Sequence, residues 1–358
     1  MRKFVWASFF VALVVAGAAC SSDDESTPST TSGALNATAA AEGNVTLRLG
    51  YFPNITHSQP LVGLARGTYQ EVLGANVKLE TKTFNAGPAA IEALFAGEID
   101  AAYVGPNPAI NGYVQSEGKA LRIIAGATSG GALLVVRPEA GIKEAKDLAD
   151  KKIASPQLGN TQDVALRNYL AANGLNAREQ GGNVQVLPSQ NPDTLSLFKQ
   201  GSIDGAWVPE PWATRLVNEA GGQIFVDERD LWPNKEFVTT QLIVSTDFLD
   251  EHPTVVEKLI KAHVEITQWI KANPSDAKKL VNDGIKQVTS AGLAPEVIDA
   301  AWEHLAVTYD PIASSLRSSA DAAYKLGFLK DKPDLANIYA LDPLNKVLTA
   351  EGLPAVQS

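Results

Sequence analysis

Apolar and polar residues follow two rhythms along this chain. From Val45 onward, short runs rich in Val, Ile, Leu and aromatics are separated by stretches with the 3.6-residue period of helices. VTLRLGY (45–51) predicts a strand, 58–73 a helix, VKLETKTF (77–84) a strand and 87–96 a helix. AAYVG (101–105), a helix over 107–116 and LRIIAG (121–126) complete a first series. After ALLVVR (132–137) a second begins: KKIAS (151–155), a helix over 161–173, VQVLP (184–188), a helix over 192–200, IDGAWV (203–208), a helix over 211–221 and QIFV (223–226). Strands separated by helices predict βαβ units, so the expected fold class is α/β, with two lobes that are each a mainly parallel sheet flanked by helices.

The rhythm changes after FVTTQLIVSTDFL (237–249). Val255, Val256, Leu259, Ile260, His263, Val264, Thr267 and Ile270 keep a helical period, and Asn273-Pro274 and Asp310-Pro311 divide the rest of the tail. A helical tail with few strands of its own needs a partner surface, which predicts packing back on the first lobe. Lobe 1 is therefore expected over 45–134 plus 243–358 and lobe 2 over 135–242, with hinge strands at about 132–140 and 235–246.

One phrase occurs twice. ALFAGEIDAAYVGPNPA (93–109) and SLFKQGSIDGAWVPEPWA (196–213) match element by element: a helix ends at glycine, Ile-Asp enters a strand, an aromatic-Val pair closes it, and Pro-x-Pro comes next. In open parallel sheets ligands sit at the carboxyl ends of strands, where the next helix presents unpaired N–H groups and the positive end of its dipole. Tyr103, Gly105 and Asn107 on one copy, and Trp207 and Glu210 on the other, are thus expected to be two facing lips of a cleft. At the same sheet edges lie Asn54, Thr56 and His57, then Ser129 and Gly130, and in lobe 2 Gln157, Asn160 and Thr161. These groups are mostly neutral, and amides, hydroxyls and helix N-termini hold an anion without Lys or Arg. Lone His57 suits a hydrogen-bonding role better than a metal-ligating one, and His252, His263 and His304 fall in the tail as surface or packing residues. Glu210 invites either a cation from the ligand or a lobe-1 group such as His57.

The chain opens with Arg2 and Lys3, an apolar run from Phe4 to Val15 and small residues before Cys20. This predicts a secretory signal over 1–19. Cys20 resembles the lipidated cysteine of a bacterial lipobox, although Gly17 stands where that pattern has Leu or Val. Residues 20–44, rich in Ser, Thr, Ala and acid, predict a disordered tether. The net charge of −10 becomes −12 once Arg2 and Lys3 are removed, which argues against nucleic acid. A single cysteine excludes an intramolecular disulfide and a multi-cysteine metal site. No cofactor and no metal are expected.

GYFPNITHSQPLVGLARG (50–67), FNAGPAAIEALFAGEIDAAYVGPNPAI (84–110) and GSIDGAWVPEPWATRLVNEAGG (201–222) resemble the substrate-binding lipoproteins of ABC importers for aliphatic sulfonates, whose relatives bind taurine, nitrate and thiamin precursors. DLWPNKEFVTTQLIVS (230–245) and TYDPIASSL (308–316) extend the resemblance into the tail. It implies the type II periplasmic-binding-protein fold and capture of a small organic anion by hinge closure. It further implies a lipid-anchored monomer outside the cytoplasm that delivers its ligand to a membrane permease driven by an ATPase. The aromatics Tyr51, Phe52, Tyr103, Trp207, Trp212 and Trp232 also suit a heterocyclic precursor or an aromatic acid. An enzyme on this fold is the remote alternative: a dehydratase, or a pyrimidine synthase that needs a cysteine-rich iron motif. No close carboxylate pair supports it.

Overall fold

A computed structural model describes residues 44–358. The expected signal (1–19), the tether before Asn44 and Cys20 lie outside the described residues. The first series is β1 (Val45–Tyr51), α1 (Ser58–Arg66), α2 (Thr68–Leu73), β2 (Val77–Thr83), α3 (Gly87–Phe95), β3 (Ala101–Val104), α4 (Pro106–Gln115) and β4 (Leu121–Gly130). The helix expected over 58–73 is broken at Gly67, which takes the left-handed conformation (φ 74°) that ends α1.

The second series is β5 (Ala132–Val136), β6 (Lys152–Ser155), α5 (Thr161–Ala172), β7 (Gln185–Pro188), α6 (Asn191–Lys199), β8 (Gly205–Pro209), α7 (Trp212–Ala220) and β9 (Gln223–Asp227). The remainder is β10 (Val238–Ser245), α8 (Thr246–Glu251), α9 (Pro253–Ala272), α10 (Pro274–Thr289), α11 (Pro295–Trp302), β11 (Leu305–Val307), α12 (Ala313–Lys325) and α13 (Asp342–Ala350).

These strands form two sheets, β11-β4-β10-β3-β1-β2 and β7-β6-β8-β5-β9. Each has a parallel heart of three strands, β2-β1-β3 and β7-β6-β8, extended by antiparallel strands from the crossovers. This is the periplasmic-binding-protein fold. The chain leaves the first sheet at Gly130-Gly131 and re-enters it at Val238, so the expected lobe limits at 134/135 and 242/243 fall inside β5 and β10. A strand hydrogen-bonded along its length belongs whole to one sheet, which moves both changeovers several residues toward the N-terminus.

The repeated Ile-Asp step serves the sheets. Asp100 N–H donates to the Arg48 carbonyl at 2.8 Å and its carboxylate accepts from Arg48 N–H at 2.7 Å. Asp204 does the same with Lys152, at 2.8 Å in both directions. In each lobe the aspartate ties the start of one parallel strand to the next.

Alternation along the strands divides the core. Ala101 and Tyr103 of β3 face the helices packed on one side of the first sheet, while Ala102 and Val104 face the other. In β8, Trp207 faces one side and Ala206 and Val208 the other. Helices α9 and α10 cover α1 and α2, so the tail packs on the first sheet. Two of its helices reach the other lobe as well, α11 against α7 and α12 against α5.

Candidate ligand-binding site

The pleat decides which of the expected residues reach the cleft. A strand's side chains stand perpendicular to the sheet, not along it toward the carboxyl edge. Tyr103 is therefore fully buried in the lobe-1 core, its hydroxyl 2.7 Å from that of Tyr69 and 2.8 Å from His263 Nδ1. His263 Nε2 in turn lies 2.8 Å from the Gly126 carbonyl. Burial pushes the His263 imidazole down to about 4, so it is neutral and accepts at Nδ1 while donating at Nε2. Trp207 is equally buried and donates from Nε1 to Glu228 at 2.8 Å. Neither aromatic lines the cleft as a lip, contrary to the expectation from the repeat.

Glu210 also turns inward. Its carboxylate accepts from the N–H of Thr214 at 3.0 Å and the Thr214 hydroxyl at 2.8 Å, holding the first turn of α7. Its third partner is His304, whose Nδ1 lies 2.6 Å from Oε1. This replaces His57, the lobe-1 partner expected from the sequence, and gives His304 a role beyond that of a surface or packing residue. The pair crosses between lobes, because Glu210 follows β8 and His304 precedes β11. No periodicity along the sequence links positions 94 residues apart.

Ser129 and Gly130 belong to the crossover rather than to the cleft wall. Ser129 Oγ accepts from Phe237 N–H at 3.4 Å, and Gly130 (φ 74°) donates its N–H to the Phe237 carbonyl at 3.2 Å. A side chain on Gly130 would also meet the His304 carbonyl. Gln157 shapes the loop before α5 through its carbonyl, which accepts from Asn160 N–H at 3.0 Å. Buried Asp163 fixes that loop, accepting from Ser155 Oγ at 2.7 Å, Gly159 N–H at 2.9 Å and Arg167 Nε at 3.1 Å.

Asn54, Thr56, His57, Gly105, Asn160 and Thr161 do converge. They line a small cavity between the lobes together with Phe52, Asn85, Gln162, Asn191, Pro209, Thr239 and Thr240. It encloses about 20 Å³, room for roughly one water molecule. Its lining holds no Lys, Arg, Asp or Glu. Four of its buried polar atoms have no protein partner: His57 Nε2, Thr161 Oγ1, Asn191 Oδ1 and Thr240 Oγ1. Such atoms cost on the order of 1–3 kcal/mol each until something meets them.

The chemistry of these groups is that of neutral donors. Burial pushes His57 down to about 3, only partly offset by the Tyr103 carbonyl, so the ring is uncharged at neutral pH. Its Nδ1 lies 3.2 Å from the Thr56 hydroxyl, and Phe52 stacks on it at 4.5 Å between centroids. The Thr56 hydroxyl and the Tyr103 carbonyl are the polar neighbours of the ring, and Nε2 has no hydrogen-bond partner in the protein. The two threonine hydroxyls rotate freely to donate, and the Asn191 amide offers its NH₂ when turned by half a rotation. Helices α4 and α5 begin beside the cavity at Gly105 and Asn160 without a side-chain cap, so their first N–H groups add positive potential.

Closure is tight. A Cβ placed on Gly105 would lie 2.3 Å from Thr161 Oγ1 across the cleft, so only glycine permits this approach. Trp212 Nε1 donates to Asn54 Oδ1 at 3.0 Å, and Asn85 Nδ2 to Gln190 Oε1 at 2.9 Å, each from one lobe to the other. Asn107 lies just beyond, donating to the Ser319 carbonyl at 3.3 Å and lining a second, larger cavity. Thr239, Thr240, Asn85 and Asn191 are cleft residues that sequence reasoning missed. Thr239-Thr240 sits in an apolar strand pattern, and only its place where β10 passes between sheets brings it to the cleft. Asn191, directly before Pro192, carries a helix-start signal that could have marked it.

The comparisons with known proteins agree with this architecture. Residues 40–282 match the NMT1-like family. The taurine-binding periplasmic protein of Escherichia coli is 26% identical over 220 residues, 61% of this chain and 65% of that protein. The alkanesulfonate-binding protein SsuA from Xanthomonas axonopodis pv. citri, solved with MOPS bound, superposes with a TM-score of 0.71 at 20% identity, covering 84% of this chain and 100% of that one. The periplasmic nitrate-binding protein NrtA from Synechocystis PCC 6803 gives 0.70 at 18% identity, covering 87% and 90%.

Proposed function

This chain belongs to the NMT1-like family, and from that premise we propose that it is the solute-binding component of an ABC importer whose ligand is an organic sulfonate. The observation that carries the reading is the cavity between the lobes, where four buried polar atoms without partners face one space free of charged side chains. A sulfonate spreads one negative charge over three weakly basic oxygens and is never protonated near neutral pH. Hydroxyls, an amide, a neutral imidazole and helix N-termini match it, whereas more basic phosphates and carboxylates draw on Arg or Lys. Relatives named for taurine and alkanesulfonate support the same class.

Capture follows from the geometry. In an open state the polar groups of both lobes are solvated; the oxyanion enters, and closure brings Gly105 against Thr161 and Trp212 against Asn54. Closure without a ligand leaves buried polar atoms unpaired, so the anion shifts the equilibrium toward the closed form. The bound form is handed to a permease driven by an ATPase. The chain acts as a monomer outside the cytoplasm, tethered through lipidated Cys20. Among the described residues no helix is long and apolar enough to cross a membrane.

Isothermal titration of the purified chain with ethanesulfonate, taurine, nitrate, sulfate and acetate tests the reading. Micromolar binding of sulfonates is expected, and no heat with any sulfonate at millimolar concentration would overturn it. Nitrate, the smaller oxyanion, is the second reading, since the cavity has room for roughly one water molecule and has to widen less for nitrate than for a sulfonate. Nitrate bound more tightly than ethanesulfonate would install it. Mass spectrometry of membrane-extracted protein tests the anchor, which predicts a diacylglycerol-sized increment lost in Cys20→Ala.

A further inference from the structure

Next to the polar cavity lies a second of about 580 Å³, within the range that holds drug-sized ligands. Thr161 lines both, and Asn107 of the larger cavity is two residues from Gly105 of the smaller, so the two spaces adjoin at the start of α4 and α5. Their walls differ in kind. The larger carries three aromatic side chains among aliphatic and amide groups: Tyr169 from α5, and Trp232 and Phe237 from the loop between β9 and β10, the last two stacked on each other at 5.5 Å and 13°. Within this wall stands one buried carboxylate, Glu228, held by Trp207 Nε1 at 2.8 Å and Trp232 Nε1 at 3.4 Å.

A nitrate fills none of this space, and the two-carbon tail of a small sulfonate fills little of it. We propose that the aromatic cavity receives the tail of the ligand whose oxyanion sits in the polar cavity, and that the preferred ligand is a sulfonate carrying a flat ring with an N–H group. The inference rests on the sulfonate reading and narrows it. Trp232 and Phe237 stack on each other and so present one flat face, against which a ring buries large area and gains from offset stacking. Glu228 supplies the polar selection. Burial disfavours its charged form, so a ligand group that donates to it offsets that penalty. The loop that carries Trp232 and Glu228 joins the lobes, so a tail lodged here stabilises the closed arrangement from both sides.

The test is titration of three sulfonates against the mature chain: ethanesulfonate, benzenesulfonate and 3-aminobenzenesulfonate. Benzenesulfonate is expected to bind about tenfold more tightly than ethanesulfonate, and the amino derivative at least about threefold more tightly again. In Trp232→Ala the ring-to-ethane ratio falls to within about threefold of one; Tyr169→Ala gives the same readout if the first variant folds poorly. Glu228→Gln erases the amino preference and keeps the ring preference. Ethanesulfonate binding with no gain from the ring overturns this inference alone, as does a ring preference that survives both aromatic truncations. Failure of every sulfonate, ethanesulfonate included, overturns the proposed function and this inference with it.

Discussion

Nδ1 of His304 lies 2.6 Å from the Glu210 carboxylate, and the contact joins lobe 2 to the tail of lobe 1 beside the cleft. Glu210 is fully buried and accepts three hydrogen bonds, two of them from the start of α7. The imidazole is the one partner that comes from the other lobe, so it adds to the closed state only. His304→Ala is expected to weaken ligand binding about tenfold without touching the ligand, because the closed state loses an interaction absent from the open one. Titration calorimetry paired with small-angle scattering of the ligand-free protein checks this. An unchanged dissociation constant in that variant would show that the contact does not bias closure.

Glu210→Gln is a separate case. The amide keeps the shape and one acceptor, but it weakens the hold on the α7 N-terminus and on His304. A loss of about 1–3 kcal/mol in unfolding free energy is expected, measured by urea titration, with little change in the order of ligand preference.

Thr161→Val and Thr240→Val are expected to separate binding from stability. Both hydroxyls are buried without a hydrogen-bond partner in the protein. Replacing each by a methyl of similar shape leaves stability unchanged or slightly raised. Sulfonate affinity falls about tenfold for each, as one donor is lost. Thermal melts and titrations of the same preparations give both numbers, and a variant that loses stability but not affinity would assign the hydroxyl a structural role.

Gly105→Ala tests the closed geometry. The added methyl meets Thr161 Oγ1 at 2.3 Å and backbone at 3.3 Å, so the lobes cannot seat fully. At least a hundredfold loss of affinity is expected with a melting temperature near that of the ligand-free wild type. The double variant Gly105→Ala, Thr161→Gly recovers closure, seen as a smaller radius of gyration on adding ligand, although the lost hydroxyl keeps affinity low.

Glu228 predicts a pH dependence. Its carboxyl is raised in the folded state to about 7, chiefly by burial and against the hydrogen bonds from Trp207 and Trp232. Between about pH 4.5 and pH 7 the folded chain therefore holds a proton that the unfolded chain has released, so this group's contribution to stability falls as pH rises through that window. His57 and His263 act in the opposite sense, since both are lowered in the fold and favour the unfolded chain as pH falls below about 6.5. Subtracting the Glu228→Gln curve from the wild type isolates the carboxylate. The variant is expected to gain up to about 3 kcal/mol relative to wild type between pH 5 and pH 8, measured by denaturant unfolding. A flat difference across that range would contradict the assignment.

Much of the architecture is legible along the chain because it depends on near neighbours. Val45–Tyr51, Val77–Thr83 and Ala101–Val104 are strands for reasons of local pattern, and Asn160 and Thr161 are residue types that mark a helix start, although neither side chain caps α5. Helix N-termini at strand ends follow from the βαβ order alone, which is why Asn54, Thr56, His57, Gly105, Asn160 and Thr161 are readable as cleft residues and do line one cavity. The repeat is legible as well, but its use is not the one its position suggests. Its aspartates stitch parallel strands, and its aromatics anchor two cores.

The sequence by itself determined the elements, the two-lobed order and the neutral polar character of the turns, since each depends on residues within a few positions of one another. Only the tertiary structure decided what meets across the cleft. Strand pleating turned Tyr103 and Trp207 into the cores, and crossover β10 carried Thr239 and Thr240 to the polar cavity. The return of the tail set His304 against Glu210. Contacts of this kind join positions tens to hundreds of residues apart, and no local period encodes them; they exist only once both sheets are packed and the lobes are closed.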